Sequence, residues 1–508
     1  MKIHRTVTII TAFLLLVSFS FHRQMPDLPK IWTTERINSL FLPLADSTTK
    51  VSMPTEDYYY KQRERVIYKS YPMYMPGREP KGYFDWLRKQ EPEIVFNAET
   101  IKTEADYLNA GEIVYDAATG FKPIDSLFLS NTSFWKKHWE QMGVKTDPKG
   151  IIPQLSVVVK KKGEILLGIL SCGNCHSKVM PDGEVLKGGQ GDFPFDQDNA
   201  AGFLYDSEIR KTPDSIVVKD IAFLNRMLFA APWIKHPAHA AIEQMNLKEY
   251  MAASYSVPEG VITRHGSLLN AYPTAIPDLF NIKDRKYLDH TGLVKNRDIY
   301  DLMLYATLNQ ESDFLVGFND FYAVKPGADP AKGKVSRFTD LQLLTLAKFI
   351  YTLRPPENPN KASEALAQQG KKIFAEEGCD ICHSPPHYSS NKLIPVTGFK
   401  PPAAHFALYD IDTIAVDTDP GLSLYTRRAT GYYKVPSLIG VWNRTALQHS
   451  GYITSLEELF NKARLRDDYT PKGFKPTNVK TMAVKGHEFG LDLTATDKAA
   501  LIAFLRSL

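Results

Sequence analysis

Cysteine is scarce in this chain: four residues in 508. A disulfide-built scaffold needs a far denser supply, so that class is excluded. A strong charge of one sign is also missing. The formal net charge is +4 and no dense basic stripe occurs. That leaves no basis for a nucleic-acid partner. Long hydrophobic runs are absent beyond residue 21. Hydrophobic residues make up 44% and charged residues 23%. These are ordinary globular values, which exclude a polytopic membrane protein, a collagen-like chain and a disordered tail. The length accommodates about two to four domains.

The N-terminal residues 1–22 read as an export signal. Lys2, His4 and Arg5 form a basic start, and Val7 to Phe21 is uncharged and mostly apolar. The run is short for a membrane span, which takes about 20 residues, and has the length of a signal core. Ser18-Phe19-Ser20 offers the best, though poor, cleavage pattern. The expectation is an exported, periplasmic protein, with an uncleaved inner-membrane anchor as the other outcome and the sole membrane contact. No cysteine follows the run, which argues against lipid attachment.

Residues 23–100 are polar at first, proline-bearing and tyrosine-rich, and predict an extended N-terminal wrap. Residues 104–117 predict a helix from Tyr107, Ala110, Ile113 and Val114. Residues 154–170 predict a β-hairpin that delivers the chain to Cys172. Residues 339–353 predict a helix opened by Thr339 and Gln342 as a capping box and stopped by Pro355-Pro356. Residues 494–508 repeat it: Leu346, Phe349, Ile350 and Leu353 align with Leu501, Phe504, Leu505 and Leu508. The expected partition is 101–354, a linker at 355–362, and 363–508.

Each half holds one Cys-x-x-Cys-His motif, Cys172-Gly173-Asn174-Cys175-His176 and Cys379-Asp380-Ile381-Cys382-His383. Two thiols at this spacing add across the two vinyl groups of one haem, and the adjacent histidine reaches the iron. A redox dithiol does not require the histidine. A single four-cysteine zinc site would have to join two distant motifs. Two covalently bound haem c groups therefore account for all four cysteines, with His176 and His383 as metal ligands. Gly370 and Phe374 precede Cys379, where a small residue lets two helices cross closely. Gly111 and Tyr115 correspond, with the hairpin segment as an insertion before Cys172.

Function turns on the sixth iron position, because a filled one suits electron transfer and an open one binds small oxidants. In the second half, the loop before the last helix contains His487, seven residues ahead of Thr494 and flanked by Gly486 and Gly490. His487 is the expected distal ligand there, with Met482 as runner-up. The equivalent loop at 313–337 has neither His nor Met, and Lys332 matches His487 in position. His236, His239, His265, His290 and Met303 could reach the first haem from elsewhere. His265 and His290 are the weak distal or acid–base candidates.

Lys434-Val435-Pro436-Ser437-Leu438, His449-Ser450-Gly451 and Ser455-Leu456-Glu457-Glu458 resemble the di-haem cytochrome c peroxidase and methylamine-utilisation type. Ile439 stands where that type has arginine, and Ala446-Leu447 where it has Pro-Tyr. A closer likeness, over most of residues 70–508, is to rubber-oxygenase-like di-haem cytochromes. Its carriers are Tyr83-Phe84-Asp85-Trp86-Leu87, Pro277-Asp278-Leu279, Lys283-Asp284-Arg285-Lys286-Tyr287, Asp301-Leu302-Met303 and Gly486-His487-Glu488-Phe489-Gly490. The resemblance implies a first haem with an accessible distal face and a second haem held by histidine on both sides. Calcium between the domains, found in related peroxidases, is a weaker implication.

Further candidates are His449, near Trp442 and Arg444, as a group tuning the second haem, and Arg427 and Arg428 as partners of haem propionates. Trp442 is either an electron bridge or a core aromatic, and His387 reads as a loop residue. Phe280, Phe314, Phe318 and Phe321 are available for an apolar distal pocket. The expected fold is mainly α: two cytochrome c-like domains with an N-terminal extension, a small hairpin and long loop insertions. The expected activity is an oxidoreductase reacting with a small-molecule oxidant, peroxide or oxygen, at an open first haem. The second haem relays electrons from a redox partner protein. The alternative is a non-catalytic electron carrier with both haems six-coordinate.

Overall fold

A computed structural model describes residues 28–234, 241, 244–263, 269 and 271–508. Ile31–Leu508 forms one compact unit. The fold is mainly α-helical with small antiparallel sheets.

Two helix crossings of the same design frame it. Helix Glu104–Asp116 packs on helix Asp340–Thr352, and helix Glu364–Glu376 packs on helix Ala495–Leu505. Each crossing is closed by a glycine. A Cβ at Gly111 would collide with the Thr345 carbonyl, and one at Gly370 with the Ala500 carbonyl. Four residues on, an edge-to-face aromatic pair continues each contact: Tyr115 with Phe349 at 5.4 Å, and Phe374 with Phe504 at 5.3 Å. Loss of the side chain at one helix position lets the backbones approach to carbonyl contact, and the next turn fills the remaining space. The predicted capping box is present, with Thr339 accepting from the Gln342 amide and the Gln342 side chain accepting from the Thr339 amide. Thr103 and Asp106 make a second one. Leu346, Leu501 and Ala500 are completely buried at these crossings.

The hairpin is larger than its sequence predicts. Strands Ile151–Lys161 and Glu164–Ile169 pair as expected, with Val157 opposite Leu167 and Val158 opposite Leu166. Two more strands, Ser70–Tyr74 and Gly120–Pro123, flank them in a four-stranded sheet. Short distant strands carry too little local pattern to announce themselves. Residues 31–100 do not form a purely extended wrap. They contain short helices Thr34–Leu40, Glu56–Lys61 and Tyr83–Leu87. Trp32 and Tyr59 stack at 4.4 Å, and Arg65 pairs with Glu311 at 2.9 Å, so the segment is fastened to the helical body.

Among the described residues, no helix is long and apolar enough to cross a membrane. This corrects the expected location, which allowed an inner-membrane anchor. The segment proposed for that role, 1–22, lies outside the described residues.

Candidate functional site

The two motifs open onto two cavities. The larger, of roughly 400 Å³, is lined by Cys379, Cys382, His383 and His487. The smaller, of roughly 160 Å³, is lined by Cys172, Cys175 and His176. Ile276, Pro277 and His290 line both.

The first motif forms the short helix Cys172–His176, capped by Ser171, whose hydroxyl accepts from the Asn174 amide. Its C-terminal end is held from the helix crossing. Tyr115 donates its hydroxyl to the His176 carbonyl at 2.7 Å, and the Gly191 amide donates to the Cys175 carbonyl at 3.1 Å. Gly191 has no freedom to grow, because a Cβ there would strike that same carbonyl. The second motif follows Gly378, in the left-handed region at φ +69°. Phe374, one turn ahead, has no hydroxyl, so the Tyr115 contact has no counterpart there. Burial pushes the Cys172 thiol up to about 12 and the Cys379 thiol up to about 11. A working redox dithiol needs a depressed pKa, so these positions do not suit that chemistry.

In the larger cavity the rings of His383 and His487 face each other, with centroids 6.4 Å apart. One metal between two imidazoles requires two bonds of about 2.0–2.1 Å and about 1.1 Å from each nitrogen to its ring centre, or about 6.3 Å in all. The centroid spacing matches that length, with the two ring planes inclined at 58°. His383 donates Nδ1–H to the Tyr388 carbonyl at 3.1 Å, in the tautomer that this acceptor dictates. That leaves the lone pair on Nε2. Burial pushes both histidines down to about 4, so both are neutral near pH 7. Met482, the alternative distal candidate, does not line this cavity.

His487 sits at φ +49°, in the left-handed region that a side chain seldom adopts. Two backbone bonds fasten it: its amide donates to the Val416 carbonyl at 2.7 Å, and its carbonyl accepts from Arg464 at 2.8 Å. The fully buried Arg464 also donates to Leu459 at 2.9 Å and Val484 at 2.5 Å. Sequence reasoning missed this arginine, since nothing local marks a residue 23 positions upstream as the clamp. Gly486 is required by the backbone packed against it. It stands at φ +81°, and a Cβ would collide with the Asp417–Thr418 backbone.

Among the described residues, His290 is the only histidine besides His176 that lines the smaller cavity. His290 Nε2 lies 2.7 Å from the Ala275 carbonyl, and burial pushes this histidine down to about 4. A neutral His290 donating there keeps Nδ1 as its lone-pair nitrogen. Met303 is buried but does not line the cavity. His236, His239 and His265 lie outside the described residues. Lys332 is exposed and pairs with Asp329.

Polar groups gather in the smaller cavity instead, and of these only Arg428 was named from the sequence. Tyr305 donates to Asp289 at 3.2 Å, Asp289 pairs with Arg428, and Arg428 donates to Asn309 at 3.2 Å. Gln310 Nε2 lies 3.5 Å from Cys172 Sγ. Leu302, Tyr305, Ala306 and Asn309 come from one face of helix Ile299–Asn309, and that 3–4 residue spacing was a readable signal. The four expected phenylalanines do not line the cavity. Phe280 and Phe314 are buried elsewhere, and Phe318 stacks on Trp233 at 4.5 Å. Arg428 reaches the cavity, but Arg427 caps a helix by donating to the Arg226, Met227 and Ala230 carbonyls.

His449 is buried, stacks on Tyr433 at 4.1 Å and lines the larger cavity. His387 is at that cavity's edge, with Nδ1 4.0 Å from Asp284. Trp442 lines neither cavity. Arg444 donates to the Ile439 carbonyl at 3.2 Å. Among the described residues, no group of three or more His, Cys, Asp or Glu is arranged to hold a metal ion, which leaves the expected calcium without a cluster.

No protein-family model and no curated protein matches the chain. Among solved structures, hydrazine synthase of Kuenenia stuttgartiensis is similar at 10% identity over 57% of this chain and 87% of that one, with a TM-score of 0.29. A MauG-like protein associated with microbial copper homeostasis is similar at 21% identity over 36% of this chain, with a TM-score of 0.23. This chain spans 61% of that protein's length. Superpositions this partial leave the assignment to the residues themselves.

Proposed function

We propose that the chain is a di-haem c-type cytochrome built of two cytochrome c-like halves, 101–354 and 363–508, joined by 355–362. It acts as an oxidoreductase. The observation that carries this reading is axial asymmetry. The ring centroids of His383 and His487 lie 6.4 Å apart in one cavity, whereas among the described residues the only histidine lining the other cavity with His176 is His290, whose Nε2 lies 2.7 Å from a carbonyl. The two glycine-closed helix crossings support the duplication.

Cys172 and Cys175 hold one haem with His176 as ligand, and Cys379 and Cys382 hold the other with His383 and His487. Haem bound in this way supplies one-electron chemistry and, where a position is open, binding of peroxide or oxygen. Around the first site, Ile262, Ile276 and Leu302 supply apolar lining. The Tyr305 hydroxyl donates to Asp289 Oδ2, and the same carboxylate pairs with Arg428. At the second site, the Arg464 clamp fixes His487, so little rearrangement accompanies a change of charge. Electrons enter from a redox partner protein and leave to a small-molecule oxidant.

The second reading, an electron carrier, would use His290 as the missing ligand, since that residue lines the smaller cavity. Intact-mass analysis of protein matured with a c-type haem attachment system tests the common ground. Two covalent haems are expected, with one lost in Cys172→Ala/Cys175→Ala and the other in Cys379→Ala/Cys382→Ala. A chain carrying none would end the proposal.

A further inference from the structure

The wall of the larger cavity carries three cations and one carboxylate. Asp278 accepts from Arg285 Nη2 on Oδ1 at 2.5 Å and from Arg444 Nε on Oδ2 at 2.9 Å. The Asp278 side chain is 5% exposed, and both arginines 12%. Lys434 stands beside them, and its Nζ donates to a neutral group, the Tyr287 carbonyl, at 3.4 Å. The other carboxylates at the cavity, Asp284, Glu377 and Asp417, form no ion pair with Lys434. With Lys434 protonated, three positive charges face one negative charge, an excess of two.

Leaving cations uncompensated in a buried site is costly. Burial accordingly pushes Lys434 down to about 7, with Arg285 adding repulsion. The arginines also donate to the Asp278, Phe280, Ser437 and Ile439 carbonyls, so a ligand bearing two carboxylates would bring the local charge to zero and give Lys434 the charged acceptor it lacks. The same cavity holds Cys379, Cys382, His383 and His487.

We propose that Lys434, Arg285 and Arg444 form a dianion site that binds the two propionates of the haem at Cys379 and Cys382. The inference rests on the di-haem reading above. It adds an orientation. The Lys434 amide donates to the His290 carbonyl at 2.9 Å, and His290 lines both cavities. With its propionates at this cluster, the acidic edge of the second haem would lie beside the wall that His290 contributes to both cavities.

Spectroelectrochemical titration of the two-haem protein tests this, comparing wild type with Lys434→Met and Lys434→Arg. Removing a cation next to the propionates favours the oxidised state. At a fixed potential, Lys434→Met should lower the reduced-to-oxidised ratio of the six-coordinate haem by about tenfold. Lys434→Arg should restore it. An unchanged ratio in Lys434→Met overturns the assignment while leaving the di-haem reading intact. Wild-type protein with no covalent haem overturns both. Resonance Raman spectra of the wild type give a second readout that needs no variant. Propionate bending bands of the six-coordinate haem should move on exchange into deuterated water, and static bands count against the site. Succinate probes the other source of paired carboxylates. It should leave the potential unchanged, and a succinate-dependent shift would mean that the cluster takes a free dicarboxylate instead.

Discussion

The imidazoles of His383 and His487, 104 positions apart in sequence, face each other across 6.4 Å inside one cavity. His487 adopts φ +49°, which glycine reaches without strain. His487→Gly should therefore preserve the fold and remove only the ring. The second haem is expected to become high-spin in optical and EPR spectra, and added imidazole should return it to low-spin. Spectra identical to wild type would mean that another group ligates that iron.

Arg464 satisfies the carbonyls of Leu459, Val484 and His487 from a fully buried position. Arg464→Gln leaves acceptors unpaired and should cost about 2–4 kcal/mol in urea unfolding. It should also raise the high-spin fraction of the second haem. That second effect separates a positioning role from simple support, since a purely structural arginine would change stability alone.

The helix crossings make a paired prediction. Gly111→Ala and Gly370→Ala each force a methyl group into a carbonyl oxygen of the partner helix. Each should lower stability by about 1–3 kcal/mol. Urea midpoints equal to wild type would show that the crossings are looser than described.

These crossings also show what could be read from sequence. Gly370, Phe374, Thr339 with Gln342, and the aligned Phe349 and Phe504 are local signals, and each occupies the place its spacing predicts. Both Cys-x-x-Cys-His motifs are likewise local signals, and each lines a cavity, the second together with His487. The outer strands Ser70–Tyr74 and Gly120–Pro123 were not, because their partners lie far away in sequence. The Tyr305–Asp289–Arg428 network was hidden likewise, as it joins three separate segments. Four phenylalanines pointed to an apolar pocket only by proximity in sequence, and packing takes them elsewhere.

His449 gives the pH prediction. Burial pushes its pKa from an ordinary 6.5 down to about 3. Its folded pKa is thus below its unfolded value, and between these two the unfolded chain binds the extra proton. Stability from this group is fully present above about pH 6.5 and declines as pH falls toward 3. His449→Gln should flatten the acid limb of urea stability by up to about 1.4 kcal/mol per pH unit. An unaltered slope would show that His449 does not titrate on unfolding.

The most direct test of the central claim is an EPR and optical titration of the purified two-haem protein with cyanide and peroxide. Axial asymmetry predicts one low-spin haem that ignores both reagents and one high-spin haem that binds cyanide and responds to peroxide. Two low-spin haems, both indifferent, would contradict it and leave an electron carrier.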